Sequence, residues 1–117
     1  MITSSVTCSS PNIDIRLASI DDLKALLVLE GKAFTGDRLS RRSFRHTITS
    51  SGSALFVAMK EDGELLGYAL LHLRQGTHLA RLYSLAVSPE ARGLGIGKLL
   101  IQACEKKALK KGKMLLR

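Results

Sequence analysis

The 117-residue sequence predicts a single α/β domain in which helices flank one mixed, mostly antiparallel sheet. Apolar residues alternate at a period of two in some segments and recur at helical spacing in others. These segments follow one another in the order β-α-α-β-β-β-α-β. Because that order contains both a tight hairpin and a strand–helix–strand connection, the sheet must be mixed.

Composition favours an ordinary globular protein and excludes several classes. Hydrophobic residues make up 45% of the chain and charged residues 24%, as is typical of folded domains. No apolar run approaches the roughly 18 residues of a membrane span, and the N-terminus lacks the pattern of a targeting peptide. We therefore expect a cytoplasmic protein that does not associate with membranes. The positions of Cys8 and Cys104 predict neither a metal site nor a disulfide framework.

The first structural element follows a polar leader. Residues 1–12 are rich in serine and threonine and lack periodicity, which predicts a flexible segment. The domain is then expected to occupy residues 13–117. Apolar and polar residues alternate from Ile13 to Leu17, and this alternation predicts a half-buried first strand.

Two helices are predicted after this strand. Ser19 followed by Asp22 is a capping-box signature for a helix start, and apolar residues recur at helical spacing from Leu23 to Phe34. Glu30 lies on the same apolar face. A second helix is expected from about Ser40 to Ile48, with its arginines directed largely towards solvent.

Three strands, a long helix and a last strand complete the predicted order. Residues 54–59 and 65–73 are apolar runs joined through Asp62-Gly63, a strong hairpin signal, and residues 79–87 form the third strand. Apolar positions at helical spacing predict a helix over residues 95–111. Gly112 then suits a C-terminal cap, and residues 113–117 begin a further strand.

The loop between the strand ending at Val87 and the helix beginning at Gly95 has the chemistry of an anion site. Backbone N–H groups in the first turn of a helix have no partner inside the helix, so they can bind a phosphate group. Glycines allow a ligand to approach the backbone closely. A plain helix start with flexible glycines is the alternative, which the three glycines, Arg92 and the flanking strand and helix disfavour. The residue spacing must decide which class of phosphate-binding loop this is.

Two familiar nucleotide-binding patterns do not fit. A Walker A loop that ends at Gly97 requires a glycine where Arg92 stands and a serine or threonine where Leu99 stands. A dinucleotide fingerprint that begins at Gly93 requires a third glycine where Lys98 stands.

The spacing Arg92-x-x-Gly95-x-Gly97, between a strand and an amphipathic helix, resembles the Arg/Gln-x-x-Gly-x-Gly/Ala motif of the GNAT N-acetyltransferase superfamily. The resemblance extends over residues 13–117. Residues 29–34, Leu-Glu-Gly-Lys-Ala-Phe, and residues 82–87 further resemble the branch that acetylates the N-terminal alanine of a ribosomal protein.

The resemblance implies a GNAT fold that binds acetyl-CoA as cosubstrate and transfers its acetyl group to a primary amine by direct attack. Protein N-termini, peptides and small amines are the acceptors it implies. The pantetheine arm would pair with the strand edge, and the pyrophosphate would contact the loop amides. The main-chain N–H of Val87 would polarise the thioester carbonyl. The implied cofactor-binding residues are Leu85, Ala86, Val87, Arg92, Gly93, Leu94, Gly95, Ile96, Gly97 and Lys98.

Glu30 is the candidate for the acceptor side, because it interrupts an apolar face and has no basic residue one helical turn away. An unpaired carboxylate there would bind the incoming amine. The alternative is a glutamate at the rim of the helix that reaches water. His72 and His78 are expected at the surface or at strand ends, and Tyr68 and Tyr83 in the core.

The base that would deprotonate the amine is not found in the sequence. The strand over residues 79–87 carries no carboxylate, and in the branch named above the catalytic acid and base would lie beyond Arg117. The resemblance therefore implies that the chain stops before the C-terminal part of the fold. An uncovered sheet edge would follow, and it would favour a homodimer.

Three functions remain open. The first is an acetyl-CoA-dependent N-acetyltransferase, and the second is a non-catalytic acyl-CoA-binding module, or a fragment that needs a partner. The net charge of +8 would also suit a nucleic-acid binder. That third function is disfavoured, because aromatic residues make up only 4% of the chain and no nucleic-acid motif is present.

Overall fold

The computed structural model describes residues 13–33, 39–73 and 76–116, and its elements follow the predicted order. The predicted bounds agree to within one or two residues. The leader over residues 1–12, the end of the first helix at Phe34, Arg38 and Arg117 lie outside the described residues. The elements are β1 Ile13–Leu17, α1 Leu23–Ala33, α2 Arg41–Thr49, β2 Ser53–Lys60, β3 Leu65–Leu73, β4 Leu79–Val87, α3 Ile96–Lys110 and β5 Met114–Leu116.

The strands form one sheet in the order β1-β2-β3-β4-β5. The first three pairings are antiparallel, and β4 pairs with β5 in parallel. The mixed, mostly antiparallel sheet predicted from the sequence is therefore confirmed. The parallel pair arises because α3 carries the chain from the end of β4 back to the start of β5.

Helices cover both faces of this sheet. The apolar stripe of α3, which includes Ile96, Leu100 and Cys104, is buried against one face. The other face packs against α1 and α2, where Leu26 and Phe44 are completely buried. The arginines of α2 are exposed, as predicted. The sheet is thus the central layer, with α3 on one face and α1 and α2 on the other.

A bulge in β4 changes which side chains face each layer. Leu70 pairs with Ser84 but Leu71 pairs with Leu82, so Tyr83 is an extra residue in the strand. Leu82 packs on the α3 side, and after the bulge the odd-numbered Leu85 also packs there. A one-residue shift reverses the facing of every later side chain. The bulge therefore determines which residues reach each face at the C-terminal end of β4.

The junction between β1 and α1 is fixed by an ion pair. The Arg16 guanidinium donates to both carboxylate oxygens of Asp22, at 2.8 and 2.9 Å. The backbone N–H of Ser19 donates to the same carboxylate at 2.8 Å, as expected from the capping-box signature. The hydrogen bonds from Arg16 hold the pKa of Asp22 below its usual range, despite the opposing effect of burial.

We expect this carboxylate to make folding stability depend on acidic pH. Because the folded pKa is depressed, the stabilisation is complete above the unfolded value of about 3.9 and is lost as pH falls through the lower folded value. Urea unfolding at a series of pH values should show that the free energy of unfolding of the parent chain decreases as the pH falls. This decrease should be smaller in the Asp22→Asn variant. Asp21→Asn, which alters an exposed neighbour, is the control. An unchanged pH profile in Asp22→Asn would contradict the assignment.

Candidate active site

The loop between β4 and α3 has a backbone that requires two of its glycines. After a single turn at Pro89–Ala91, Gly93 and Gly95 adopt φ values of 89° and 78°. Residues with a Cβ rarely adopt this left-handed conformation, because the Cβ approaches the neighbouring carbonyl oxygen. Gly95 is the N-cap of α3, so these glycines direct the chain from the strand into the helix.

Gly97 is not required by the backbone in the same way. It lies in the first turn of α3, and a Cβ built there would be 3.9 Å from side-chain carbons of Leu85 and Val87, which is an ordinary contact. A Cβ added at Gly93 would have no neighbour within 4 Å. The loop therefore presents an open backbone surface that a ligand can approach closely.

The start of α3 offers hydrogen-bond donors at this surface. The Leu99 N–H donates to the Gly95 carbonyl at 3.1 Å and closes the first helical turn. The N–H groups of Ile96, Gly97 and Lys98 come before Leu99 in the chain. Because the helix contains no carbonyl four residues before them, these N–H groups have no partner inside the helix. They lie at the positive end of the helix dipole, and the Lys98 side chain is exposed beside them. These groups fit a diphosphate.

Near the end of β4, successive residues direct their backbone N–H and C=O groups to opposite sides of the strand. The Ser88 N–H donates to the Leu66 carbonyl at 2.7 Å, in register with the Tyr68–Ala86 pair. In an antiparallel ladder, every second residue directs its N–H and C=O to the partner strand. The peptide groups of Ala86 therefore face β3.

By the same alternation, the N–H and C=O groups of Leu85 and Val87 point away from β3. Within the described part of the chain, β5 pairs only with residues 79–81 of β4. Leu85 and Val87 thus present main-chain donors and acceptors on a side where no described strand pairs with them. The side chain of Ile96 is buried, so only its backbone is available to a ligand. Ala86 has a buried side chain and peptide groups that face β3, so it offers no free polar group on this side.

Glu30 is placed differently from either sequence interpretation. Its side chain is 3% exposed, so the expectation of a glutamate that reaches water is wrong. It is not unpaired either: one oxygen accepts from the Tyr68 hydroxyl at 2.6 Å and the other from the Leu39 N–H at 2.6 Å. These two donors belong to residues far from Glu30 in the chain. The sequence argument considered only residues one helical turn from Glu30, so it could not identify them. A role for Glu30 towards the acceptor stays a prediction.

The Tyr68 hydroxyl also contacts the Ser84 hydroxyl at 2.9 Å. Burial raises the pKa of Tyr68, and the hydrogen bond to Glu30 raises it further, so the phenol stays protonated and donates. Tyr68 lies in the core, as predicted. The three side chains form a buried polar chain, the Glu30–Tyr68–Ser84 network, which connects α1 through β3 to β4.

A separate cleft lies between α2 and the face of β3 and β4 that is opposite α3. It encloses about 500 Å³, and we call it the α2 cleft. The expectation that Tyr83 is a core residue is wrong, since the β-bulge directs it outward and leaves it 55% exposed. Its ring meets His72 edge to face at a centroid distance of 4.7 Å. The described lining of the α2 cleft includes Arg42, His46, Thr47, Leu70, His72 and Tyr83.

Another cavity lies at the far end of α3 from the glycine loop. It encloses about 660 Å³ and lies beside Leu109 and Met114. His78, which contributes to its lining, is exposed as expected. None of the described helices is both long and apolar enough to cross a membrane. In the described ranges, His, Cys, Asp and Glu side chains form no group suited to a metal ion.

Comparison with known proteins gives a family match over most of the chain. The sequence profile of the acetyltransferase (GNAT) family matches residues 21–116. A putative ribosomal-protein-alanine N-acetyltransferase from Bacillus subtilis (strain 168) is 25% identical over 97 residues, which cover 80% of this chain and 62% of the relative. A mycothiol acetyltransferase from Paenarthrobacter aurescens (strain TC1) is 45% identical over 51 residues, or 40% of this chain and 16% of the relative. The chain therefore spans less than two thirds of either relative.

Solved structures share the fold. The PaiA N-acetyltransferase from Thermoplasma acidophilum, in complex with coenzyme A, has a TM-score of 0.77 at 25% identity, covering 86% of this chain and 74% of that one. The ribosomal-protein-alanine N-acetyltransferase from Escherichia coli has a TM-score of 0.73 at 21% identity, covering 86% of this chain and 61% of that one. The similarity to the ribosomal-protein branch inferred from the sequence agrees with the match to the Bacillus subtilis relative.

We expect the Glu30–Tyr68–Ser84 network to contribute to folding stability. Tyr68→Phe keeps the ring but removes the hydroxyl, so the buried Glu30 oxygen loses its donor. The free energy of unfolding, measured by urea titration, should fall by about 1–3 kcal/mol. Tyr83→Phe removes an exposed hydroxyl and should change it by no more than about 0.5 kcal/mol. Equal effects in the two variants would refute a stabilising role for the network.

Proposed function

Because this chain belongs to the acetyltransferase (GNAT) family, we propose that it binds acetyl-CoA and transfers the acetyl group to a primary amine. One observation carries the proposal: the open edge of β4 at Leu85 and Val87 leads directly into the glycine loop at the start of α3. Strand edge and helix start together suit an extended ligand that ends in a diphosphate. A protein or peptide N-terminus is the acceptor class we propose.

The loop would hold the diphosphate through main-chain groups. The N–H groups of Ile96, Gly97 and Lys98 supply donors without a rotamer cost, because the helix already fixes their direction. Arg92 and Lys98 are both exposed at this end of α3 and add positive charge. The predicted cofactor-binding roles of the loop residues are supported by this arrangement.

The strand edge would hold the arm that bears the thioester. Acetyl-CoA supplies an acetyl thioester, whose C–S bond breaks as the amine nitrogen forms the new C–N bond. The Val87 N–H, directed away from β3, would donate to the carbonyl oxygen as negative charge develops on it. An oriented backbone donor favours the transition state over the ground state because it need not reorganise during the reaction.

The amine must lose a proton before it attacks, and β4 offers no carboxylate to take it. Its polar side chains are Arg81, Tyr83 and Ser84. Glu30, the carboxylate expected on the acceptor side, is already bonded to Tyr68 and Leu39. In this proposal Glu30 therefore positions the acceptor side, by holding α1 against β3, and does not bind the amine.

The same observation favours a second candidate, an acyl-CoA-binding module without turnover. Such a module would bind acetyl-CoA at the β4 edge but release no free thiol when amines are added. A coupled thiol assay with a panel of peptide N-termini and small amines separates the two candidates. Thiol release that depends on an amine supports the transferase, and binding without release supports the module.

We expect acetyl-CoA binding to depend on the open surface at Gly97. Gly97→Glu places a bulky negative side chain beside the proposed diphosphate position and should reduce affinity at least about tenfold. Gly97→Ala adds only a methyl group in ordinary contact, so it should bind normally, and it should stabilise the helix by up to about 1 kcal/mol. Calorimetric titration with acetyl-CoA measures both variants, with ATP and NAD as comparison ligands.

Circular dichroism and thermal unfolding serve as controls that test whether the Gly97→Glu variant is folded. Lys98→Gln, which changes an exposed side chain, gives a second measurement at the same loop and should weaken binding more modestly. Absence of acetyl-CoA binding by the folded parent chain would refute the proposal. Equal affinity in the Ala and Glu variants would refute the assignment to this loop.

A further inference from the structure

The α2 cleft includes a residue of β4, the strand that carries the proposed reaction centre, but shares no residue with the glycine loop. Tyr83, on its wall, precedes Leu85 by two residues in β4, and the bulge directs the two side chains to opposite faces of the sheet. A ligand in the cleft would therefore approach β4 from the α2 side. This is the face opposite α3 and its donor-binding loop.

Apart from the Tyr83 phenol, the ionisable side chains in the described lining of the cleft all belong to basic residues. Arg42 and His46 lie on its α2 wall and His72 on its β3 wall, and the lining contributed by the described residues includes neither Asp nor Glu. Arg81 pairs across the strands with His72. Burial lowers the pKa of His72, and the neighbouring Arg81 and His46 lower it further. The His72 imidazole therefore favours its neutral form, and Arg42 supplies the permanent positive charge of the described lining.

These basic groups have unused hydrogen-bonding capacity. Within the described ranges, neither the Arg42 guanidinium nor the His46 ring takes part in a salt bridge or a side-chain hydrogen bond. His72 contacts the Ser53 hydroxyl at 3.3 Å through Nδ1. Arg42 can therefore offer a planar, two-donor group to a carboxylate, which is the geometry that guanidinium groups favour.

The apolar part of the cleft limits the kind of ligand. Leu39 and Leu70 contribute apolar surface, and the Tyr83 ring adds an exposed aromatic face. A volume of about 500 Å³ suits a small molecule or a few peptide residues. It does not suit a nucleic-acid duplex, whose recognition requires an extended basic surface.

We propose that the α2 cleft selects acceptors that carry a carboxylate close to the reacting amine, namely peptides with Asp or Glu near the N-terminus. The inference rests on the proposed function and deepens it by naming the acceptor class. Arg42 contacts the carboxylate, with His46 beside it, and Tyr83 packs against the peptide. The amine is then directed along β4 towards Leu85.

Fluorescence anisotropy with three matched peptides tests the proposal without requiring turnover. The peptides share the N-terminal alanine and length, and differ in having Glu, Gln or Lys at the next two positions. We expect the Glu peptide to bind about tenfold more tightly than the Gln peptide, and the Lys peptide to bind most weakly. Arg42→Gln should reduce the preference for Glu over Gln about fivefold.

Arg45→Gln is the matched control. Arg45 is an exposed arginine on the same helix that does not line the cleft, so its removal changes the net charge equally. An equal loss in the two variants would overturn the cleft assignment and indicate a general effect of positive charge. Equal affinities for the three peptides, no detectable peptide binding, or tighter Arg42-dependent binding of a single-stranded RNA would also overturn it.

Acetyl-CoA titration of the same samples keeps the two proposals separate. Acetyl-CoA binding without a preference for the acidic peptide refutes only the acceptor class. An Arg42-dependent acidic preference without acetyl-CoA binding leaves the cleft as an acidic-peptide site and refutes the transferase proposal. Both results together support an acetyltransferase with an acidic acceptor.

Discussion

The pairing of β3 with β4 shifts by one residue at Tyr83, and the surfaces on both sides of β4 depend on this shift. Before it, Leu82 packs towards α3, and after it Leu85 and Val87 do so. The same shift turns Ser84 towards Tyr68 and directs Tyr83 into the α2 cleft. Without the extra residue, strict alternation would exchange the two faces of the strand beyond this point.

The buried Glu30 connects the two sides of this arrangement. A carboxylate in a protein interior is tolerated only where hydrogen-bond donors replace water, and Tyr68 and Leu39 supply them. Those donors belong to β3 and to the segment before α2, so α1 cannot shift without breaking both bonds. The carboxylate that local sequence marked as free for an amine thus serves to fix the framework around the α2 cleft.

Positive electrostatics arises differently in the two proposed sites. At the glycine loop it comes from the amides of Ile96, Gly97 and Lys98, whose direction is set by the helix. At the α2 cleft it comes from the exposed side chain of Arg42, which can reorient to meet a ligand. A rigid backbone site suits an invariant cosubstrate, whereas a side-chain site suits discrimination among acceptors.

The sequence by itself determined the order and bounds of the elements, the mixed sheet and the spacing of Arg92, Gly95 and Gly97. These follow from local rules: hydrophobic period, turn chemistry and the conformation that glycine permits. Only the tertiary structure decided the partners of Glu30, the outward position of Tyr83 and the existence of the α2 cleft. Each depends on strand register or on contacts between residues far apart in the chain, and a single sequence carries no local signal for either.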